Sequence, residues 1–326
     1  MTNTSPHPLA QRLAQAVDGY PLQADQPTGA PLMCMPDVEE QTEHYLAIEH
    51  GESADRGMLT GALGGMGAAF FGGFAFMFFI DGRPEAGLAY SLIVLACLIP
   101  PFLWEILRPM PLPILFNRRT RELYFEQDGH LYHTPWDGIA AAAYGFDTVG
   151  PYTGGMRHAA LEALLHRYGH PDEQVLLNLG SPLGKNLQMQ LGFWDYLRAY
   201  MDNGPWFDEH GEHSESPDFN QSLMEVRNSK GQSVRLYWGL IKDEYMVNNG
   251  RNSPRGNLVV LLFGSMLFLP MRATQNFTYS IAKSRSRNQW PELIRERLRL
   301  DGPTSRLVDI EQEQVKPFNG SPRSRG

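Results

Sequence analysis

The sequence predicts an α+β membrane protein: an N-terminal two-helix transmembrane hairpin followed by a β-rich soluble domain closed by an amphipathic helix. Three observations predict it. Two long uncharged apolar runs lie back to back near the N-terminus. Short apolar segments separated by turn residues follow them. Beyond those, a helical-period stripe of large residues runs from Leu187 to Met201.

Residues 58–80 (MLTGALGGMGAAFFGGFAFMFFI) carry no charge, and neither do residues 86–104 (AGLAYSLIVLACLIPPFLW). A bilayer core needs roughly 20 apolar residues of helix, and helices satisfy their own backbone polar groups in lipid. The first run is bounded by Asp55 and Arg56 before it and by Asp81 and Arg83 after it, and the turn 81–85 (DGRPE) is rich in breakers. A buried hairpin in a soluble protein is the competing reading, but soluble helices rarely run so long without a polar face. Gly61, Gly65, Ala69 and Gly73 recur every four residues and form one small-residue stripe, which favours close helix packing in lipid. Its partner is either the second span or a second copy of the chain, so a homo-oligomer stays open. Pro100 and Pro101 predict a kink or an end near the exit of the second helix, and Trp104 fits an interfacial anchor. Arg108, Arg118, Arg119 and Arg121 follow the second run, which by the positive-inside rule places the C-terminal part in the cytoplasm and, through the hairpin, the N-terminus with it.

The polar segment 1–57 reads as an N-terminal tail without a secretion signal. Residues 106–202 read as the β-rich cytoplasmic domain. Residues 113–116 form a short apolar strand, 122–126 and 130–134 a hairpin around Gly129, and 159–168 with 175–179 two antiparallel strands. Leu187, Leu191, Trp194, Leu197 and Met201 mark a helix over 185–202. Residues 203–222 read as a polar linker. Residues 223–300 read as a second α+β segment packed on the first, with strands at 223–226 and 234–238. Residues 301–326 read as a disordered tail. The apolar run 257–271 (NLVVLLFGSMLFLPM) is too short for a comfortable span. It suits a buried helix or a re-entrant segment, and a third span would carry the basic residues from Lys283 to Arg299 outside, against the charge rule.

The formal net charge of −8 argues against nucleic acid as a partner. Cys34 and Cys97 build neither a disulfide framework nor a zinc motif. Residues 208–213 (DEHGEH) could ligate zinc or nickel on a helix, but their breaker-rich surroundings read as a solvated loop. His130 and His133 should face opposite sides of a strand, which disfavours joint ligation. Residues 180–186 (GSPLGKN) fail the phosphate-loop pattern by one residue and by Asn186 where Ser or Thr should hold magnesium. Trp136, Trp194 and Trp290 read as core or capping residues. The sequence thus assigns no catalytic residue, no metal site and no cofactor, and the spans hold no ionisable group at mid-depth, which counts against transport.

A two-span hairpin leading into 113–119 (PILFNRR), a β-hairpin, Pro135 and Trp136, then 193–205 (FWDYLRAYMDNGP) and 289–292 (QWPE), resembles the TsiT-like family of bacterial membrane proteins associated with type VI secretion loci. The resemblance covers roughly residues 55 to 302. It implies an immunity protein of the bacterial inner membrane that binds and neutralises a cognate toxin or effector; the inferred topology and the acidic balance suit a nuclease acting in the cytoplasm. A membrane-anchored adaptor for effector or secretion-machinery recruitment is the alternative, and a membrane enzyme with a site assembled in space a more remote one.

Overall fold

The computed structural model describes residues 8–16, 18–150, 154–228, 238–243, 246, 256–286 and 288–315. The chain divides into two compact units. One comprises Met1–His50, Leu112–Leu223 and Gln289–Gly326, the other Gly51–Pro111 and Met224–Asn288.

The first unit is built on a nine-stranded antiparallel sheet. Helix α1 (Pro8–Gln15) precedes β1 (Gly19–Leu22), β2 (Val38–Gln41) and β3 (Tyr45–Ile48). After the membrane segment come β4 (Ile114–Asn117), β5 (Glu122–Gln127), β6 (His130–Pro135), β7 (Ala141–Gly150), β8 (Gly154–Arg167) and β9 (His170–Asn178). The spatial order is β1-β7-β8-β6-β5-β4-β3-β2, with β9 added on β8. Ala163 pairs with Ala141 of β7 and with Leu177 of β9, so those strands flank β8 on opposite sides. At the far end of β8, past β7, His166 and Arg167 pair instead with His133 and Tyr132 of β6. One long strand thereby serves two partners along one edge, and the sheet curls.

Helix α5 (Leu187–Asn203) packs on β7 and β8. Asn186 caps it by accepting the Met189 N–H at 2.9 Å. Its predicted stripe is more than a stripe, because residues 190–197 and 199–201 are all buried. The second side of the helix is covered by the N-terminal segment, which is therefore no tail. Asp195 accepts the Thr28 N–H at 2.9 Å and its hydroxyl at 2.8 Å, Met33 N–H reaches the Gly192 carbonyl, and Tyr200 donates to the Thr42 carbonyl. Polar groups of this segment, the Thr28 hydroxyl and the Thr42 carbonyl among them, bind it to α5. Strands β1 and β3 pair with β7 and β4, far along the chain. Four-residue strands carry too little periodicity to be seen alone.

Residues 203–222 are folded rather than a linker. Phe207 is fully buried, bridges to His213, and its N–H is received by Asn220; helix α6 (Asp218–Asn228) starts within the segment and contains the predicted strand 223–226. The predicted strand 234–238 lies mostly outside the described residues, and residues 238–243 are helical.

The second unit is helical. Helix α2 (Gly51–Ala54) leads to a π-helical stretch, Thr60–Gly65, continuous with α3 (Met66–Ile80), and α4 (Pro84–Leu107) follows. Thr60–Ile80 and Pro84–Leu107 are both long and apolar enough to cross a membrane. Helix α4 does not end at Pro100 and Pro101 but runs on to Leu107, since prolines are tolerated within helices at membrane depth. The run 257–271 forms α7 (Gly256–Leu267) and the start of α8 (Leu269–Arg285), bent by 52° at the break, so it counts as a broken span or a re-entrant loop. It is not a buried helix, because Val260 and Phe263 are 70% and 69% exposed.

The chain closes in the sheet unit with α9 (Glu292–Leu298) and α10 (Leu307–Val315). Helix α10 falls in the segment expected to be disordered. Its Leu307 is fully buried with Ile294, Leu115 and Tyr124. Residues 316–326 lie outside the described residues.

Candidate functional site

The register of the sheet brings together a group of ionisable side chains that are far apart in sequence. His133 lies opposite His166 across β6 and β8, with ring centroids 4.3 Å apart. Both imidazoles face Glu311 of α10. Its Oε2 is 3.2 Å from His133 Nε2 and 3.0 Å from His166 Nε2. The other oxygen, Oε1, accepts the Gly169 N–H from the β8–β9 turn. On the far side of His133, Glu122 Oε1 of β5 stands 3.6 Å from Nδ1.

His133 and Glu122 are fully buried, whereas His166 and Glu311 keep 17% and 11% of their side chains exposed. Neither nitrogen of His133 makes a well-aligned hydrogen bond, despite the two carboxylates beside it. Burial pushes the Glu122 carboxyl up, but His133, the Leu307–Val308 peptide and the Tyr124 hydroxyl outweigh it and hold the group below the usual carboxylate range. For Glu311 burial likewise raises, and the Gly169 N–H with the two imidazoles pulls it lower. Tyr124 is pushed well up by burial and by Glu122. Two anionic oxygens thus bracket two imidazoles in a nearly water-free corner of the sheet.

A second polar group lines a cleft of about 740 Å³ that also touches Leu9, Leu13 and Ile139. Arg121 donates to both oxygens of Asp137, to Asp202 at 3.0 Å and to the Met201 carbonyl, while Arg306 reaches Asp137 from α10's leading edge at 2.9 Å. Arg121 adopts φ 51°, the left-handed region, where a non-glycine residue needs such fixed partners.

The residues singled out from sequence fall elsewhere. Gly61 and Gly65 face α8, where an added Cβ would stand 2.7 Å from the carbonyls of Met271 and Pro270. Ala69 and Gly73 are exposed, and nothing lies within 4 Å of a Cβ at Gly73. The second span is met by a different pair, Gly64 against Leu98 and Gly67 against Cys97. In 208–213, Asp208 accepts the N–H groups of His210 and Glu212, and His213 Nδ1 contacts the Asn203 carbonyl, so the loop is organised by its own turns. His130 is exposed while His133 is buried, on opposite faces. In 180–186, Lys185 is buried against Asp37, and Gly180 (φ 103°) makes room for that pair. Trp136 and Trp194 are fully buried with centroids 5.1 Å apart, and Trp290 packs at the edge of the Tyr124 cluster. The sequence does not reveal the imidazole–carboxylate group, because its members come from three strands and a C-terminal helix. Its only local signal is the alternation 130–133, which points His133 inward.

No protein-family model, no curated protein and no solved structure matches this chain.

Proposed function

We propose that this chain is a membrane-anchored immunity protein that binds and neutralises a cognate type VI secretion toxin, a nuclease acting in the cytoplasm. The hairpin would sit in the bacterial inner membrane, with both chain ends and the sheet unit in the cytoplasm. The observation that supports the membrane-anchored part of this reading is where the two apolar helices are placed. Two helices apolar enough to span a membrane are inserted between β3 and β4, strands that pair with one another in one sheet.

That insertion supports the topology through parity. Residues 1–50, 112–223 and 289–326 fold into one unit, so the chain must cross an even number of times between them. A hairpin satisfies this for the first interval. For the second, the bent pair α7–α8 fits a re-entrant loop better than a single crossing, and the arginines after the second span favour the cytoplasmic side. For partner binding the sheet offers β9, which pairs only with β8 among the described strands and is exposed from His170 to Gln174. Edge strands are natural sites for adding a strand from another chain. The net charge of −8 would steer a basic, nucleic-acid-cutting partner. The toxin itself rests on the resemblance described above.

The exposed edge serves a recruiting adaptor equally well, and one experiment separates the two. The product of the adjacent gene is expressed in a sensitive bacterium with and without this protein, and survivors are counted. Rescue from killing supports immunity. Killing unchanged by this protein, together with co-purification of the two, would move the adaptor ahead. The anchor's contribution cannot be tested by N-terminal deletion, because removing residues 1–105 would also remove β1, β2 and β3.

A further inference from the structure

We propose that His133, His166 and Glu311 form a binding site for one divalent transition-metal ion of the zinc class, fastening α10 to the sheet. The donor set is the right kind: two imidazoles and one carboxylate suit zinc and its neighbours, whereas magnesium and calcium prefer oxygen ligands throughout. The geometry is close to what such an ion needs. One oxygen, Glu311 Oε2, lies 3.2 and 3.0 Å from the two Nε2 atoms, and the three donor atoms fall within 4.8 Å of one another. Metal–ligand bonds of about 2.0–2.2 Å in a tetrahedron place neighbouring donors roughly 3.3–3.5 Å apart. The two carboxylate–imidazole distances already lie close to that spacing.

Two further features set this group apart from an ordinary buried ion pair. His133 is fully buried, yet neither ring nitrogen has an aligned hydrogen-bonding partner. Such a group is costly unless something else occupies its lone pair. A cation at the point faced by Nε2 would do so. The opposite nitrogen, Nδ1, lies 3.6 Å from Glu122, a carboxylate fixed by the Tyr124 hydroxyl at 2.8 Å and by the Val308 N–H at 3.2 Å. A carboxylate behind a ligating imidazole fixes its tautomer and strengthens it as a donor. Gly169 plays the matching role for Glu311, holding the oxygen that does not face the imidazoles. Three ligands leave a fourth position, and the partial exposure of His166 and Glu311 lets it be reached by water.

The ion would join β6, β8 and α10. Without it, α10 is attached by Leu307 and Ile310 at the Tyr124 cluster, by the Val308 N–H to Glu122 and by the Glu311 carboxylate. Metal affinity at a site formed only in the folded chain adds to the stability of the elements it joins.

The test uses the full chain in detergent, purified without a polyhistidine tag, stripped with EDTA and dialysed against zinc chloride with magnesium in excess. Bound metal is then counted by mass spectrometry. One zinc per chain is expected, lost in His166→Ala, retained in the doubly substituted His210→Ala/His213→Ala chain, and bound about 10–100-fold more weakly in Glu122→Gln. Because a variant can fail to fold, cobalt is also loaded into the unaltered protein, where the intense visible absorption of a four-coordinate site is expected. Absence of stoichiometric zinc, equal retention in His166→Ala, loss in the His210/His213 variant, or the weak spectrum of six-coordinate cobalt would each overturn the proposal.

Discussion

In the sheet unit the largest fully buried side chains are Trp136, Trp194, Tyr124, Tyr196 and Tyr200, and they hold the elements apart by their own bulk. In the helical unit Gly57, Gly61 and Gly65 lie so close to α8 that an added Cβ would meet its backbone carbonyls. Solvent explains the contrast. In water, association is driven by removing apolar area, so large aromatic residues are the most effective filler. In lipid the apolar residues gain nothing by turning inward, and Phe70, Phe76 and Ile80 remain 62%, 67% and 72% exposed. Helices there associate by close packing and polar contacts, which small residues permit. The two units should therefore fail under opposite substitutions: loss of volume in one, gain of volume in the other.

The largest effect is expected from Trp194→Ala. The side chain is fully buried, lies tilted against Trp136 and donates to the Gln23 carbonyl at 3.3 Å. Removing it should cost about 3–5 kcal/mol, read as a lowered urea midpoint of the far-ultraviolet signal. An unchanged midpoint would mean that the aromatic core is not what holds the sheet unit. Next comes Glu105→Ala in the helical unit. Its carboxylate receives the N–H groups of Gly57, Leu59 and Thr60 at 3.0, 3.2 and 2.9 Å, closing the start of the first span, while Arg56 donates to the Glu105 and Pro109 carbonyls. Leaving those donors unpaired should cost about 2–3 kcal/mol, seen as a lower melting temperature in detergent, with Glu105→Gln intermediate. The comparison is sharpest within the glycine stripe itself. Gly65→Ala should cost about 1–3 kcal/mol through overpacking against Pro270 and Met271. Gly73→Ala, where nothing lies within 4 Å of an added Cβ, should stay within about 0.5 kcal/mol. Equal effects at both positions would break the distinction drawn here.

What could be read from the sequence follows the same division. The spans are legible because absence of charge over a long run is a local property, and residues 58–80 and 86–104 contain nearly the whole of Thr60–Ile80 and Pro84–Leu107. The hairpin of β5 and β6 and the helix α5 are legible for the same reason, through a turn at Gly129 and a clean period. Strands β1 to β3 are not. Strand β1 is made by pairing with β7 and β3 by pairing with β4, both across the inserted membrane segment, and β2 pairs only with β3 among the described strands, its Gln41 accepting the Tyr196 hydroxyl of α5. The stripe of four small residues predicts close packing but not its partner, and α8 occupies two of its positions because the bend after Leu267 turns that helix alongside. The imidazole–carboxylate group is the least legible part. Its ligating atoms meet only after β6 and β8 are in register and α10 has docked, and α10 itself sits in a segment whose composition reads as disordered.

The smallest expected loss of stability tests electrostatics at the surface of the sheet unit, which the helical unit's spans do not use. Hydrogen bonds from Arg121 hold the Asp137 carboxyl below its ordinary value, against a smaller opposing effect of burial, and Arg306 adds to the shift. A folded pKa below the unfolded one means that the contribution is complete above the unfolded value and is lost as pH falls through the folded one. The side chains of Arg121 and Asp137 are 31% and 44% exposed, so solvent screens the pair and the network should be worth about 1 kcal/mol. Asp137→Asn should therefore lower stability by about 1 kcal/mol at pH 7. The difference from the unaltered chain should begin to shrink below about pH 4 and vanish in more acid solution, and added salt should reduce it at neutral pH. Urea titrations at a series of pH values would show this directly. A deficit that persists in acid would place the role of Asp137 in positioning Arg121 against the Met201 carbonyl, not in its charge.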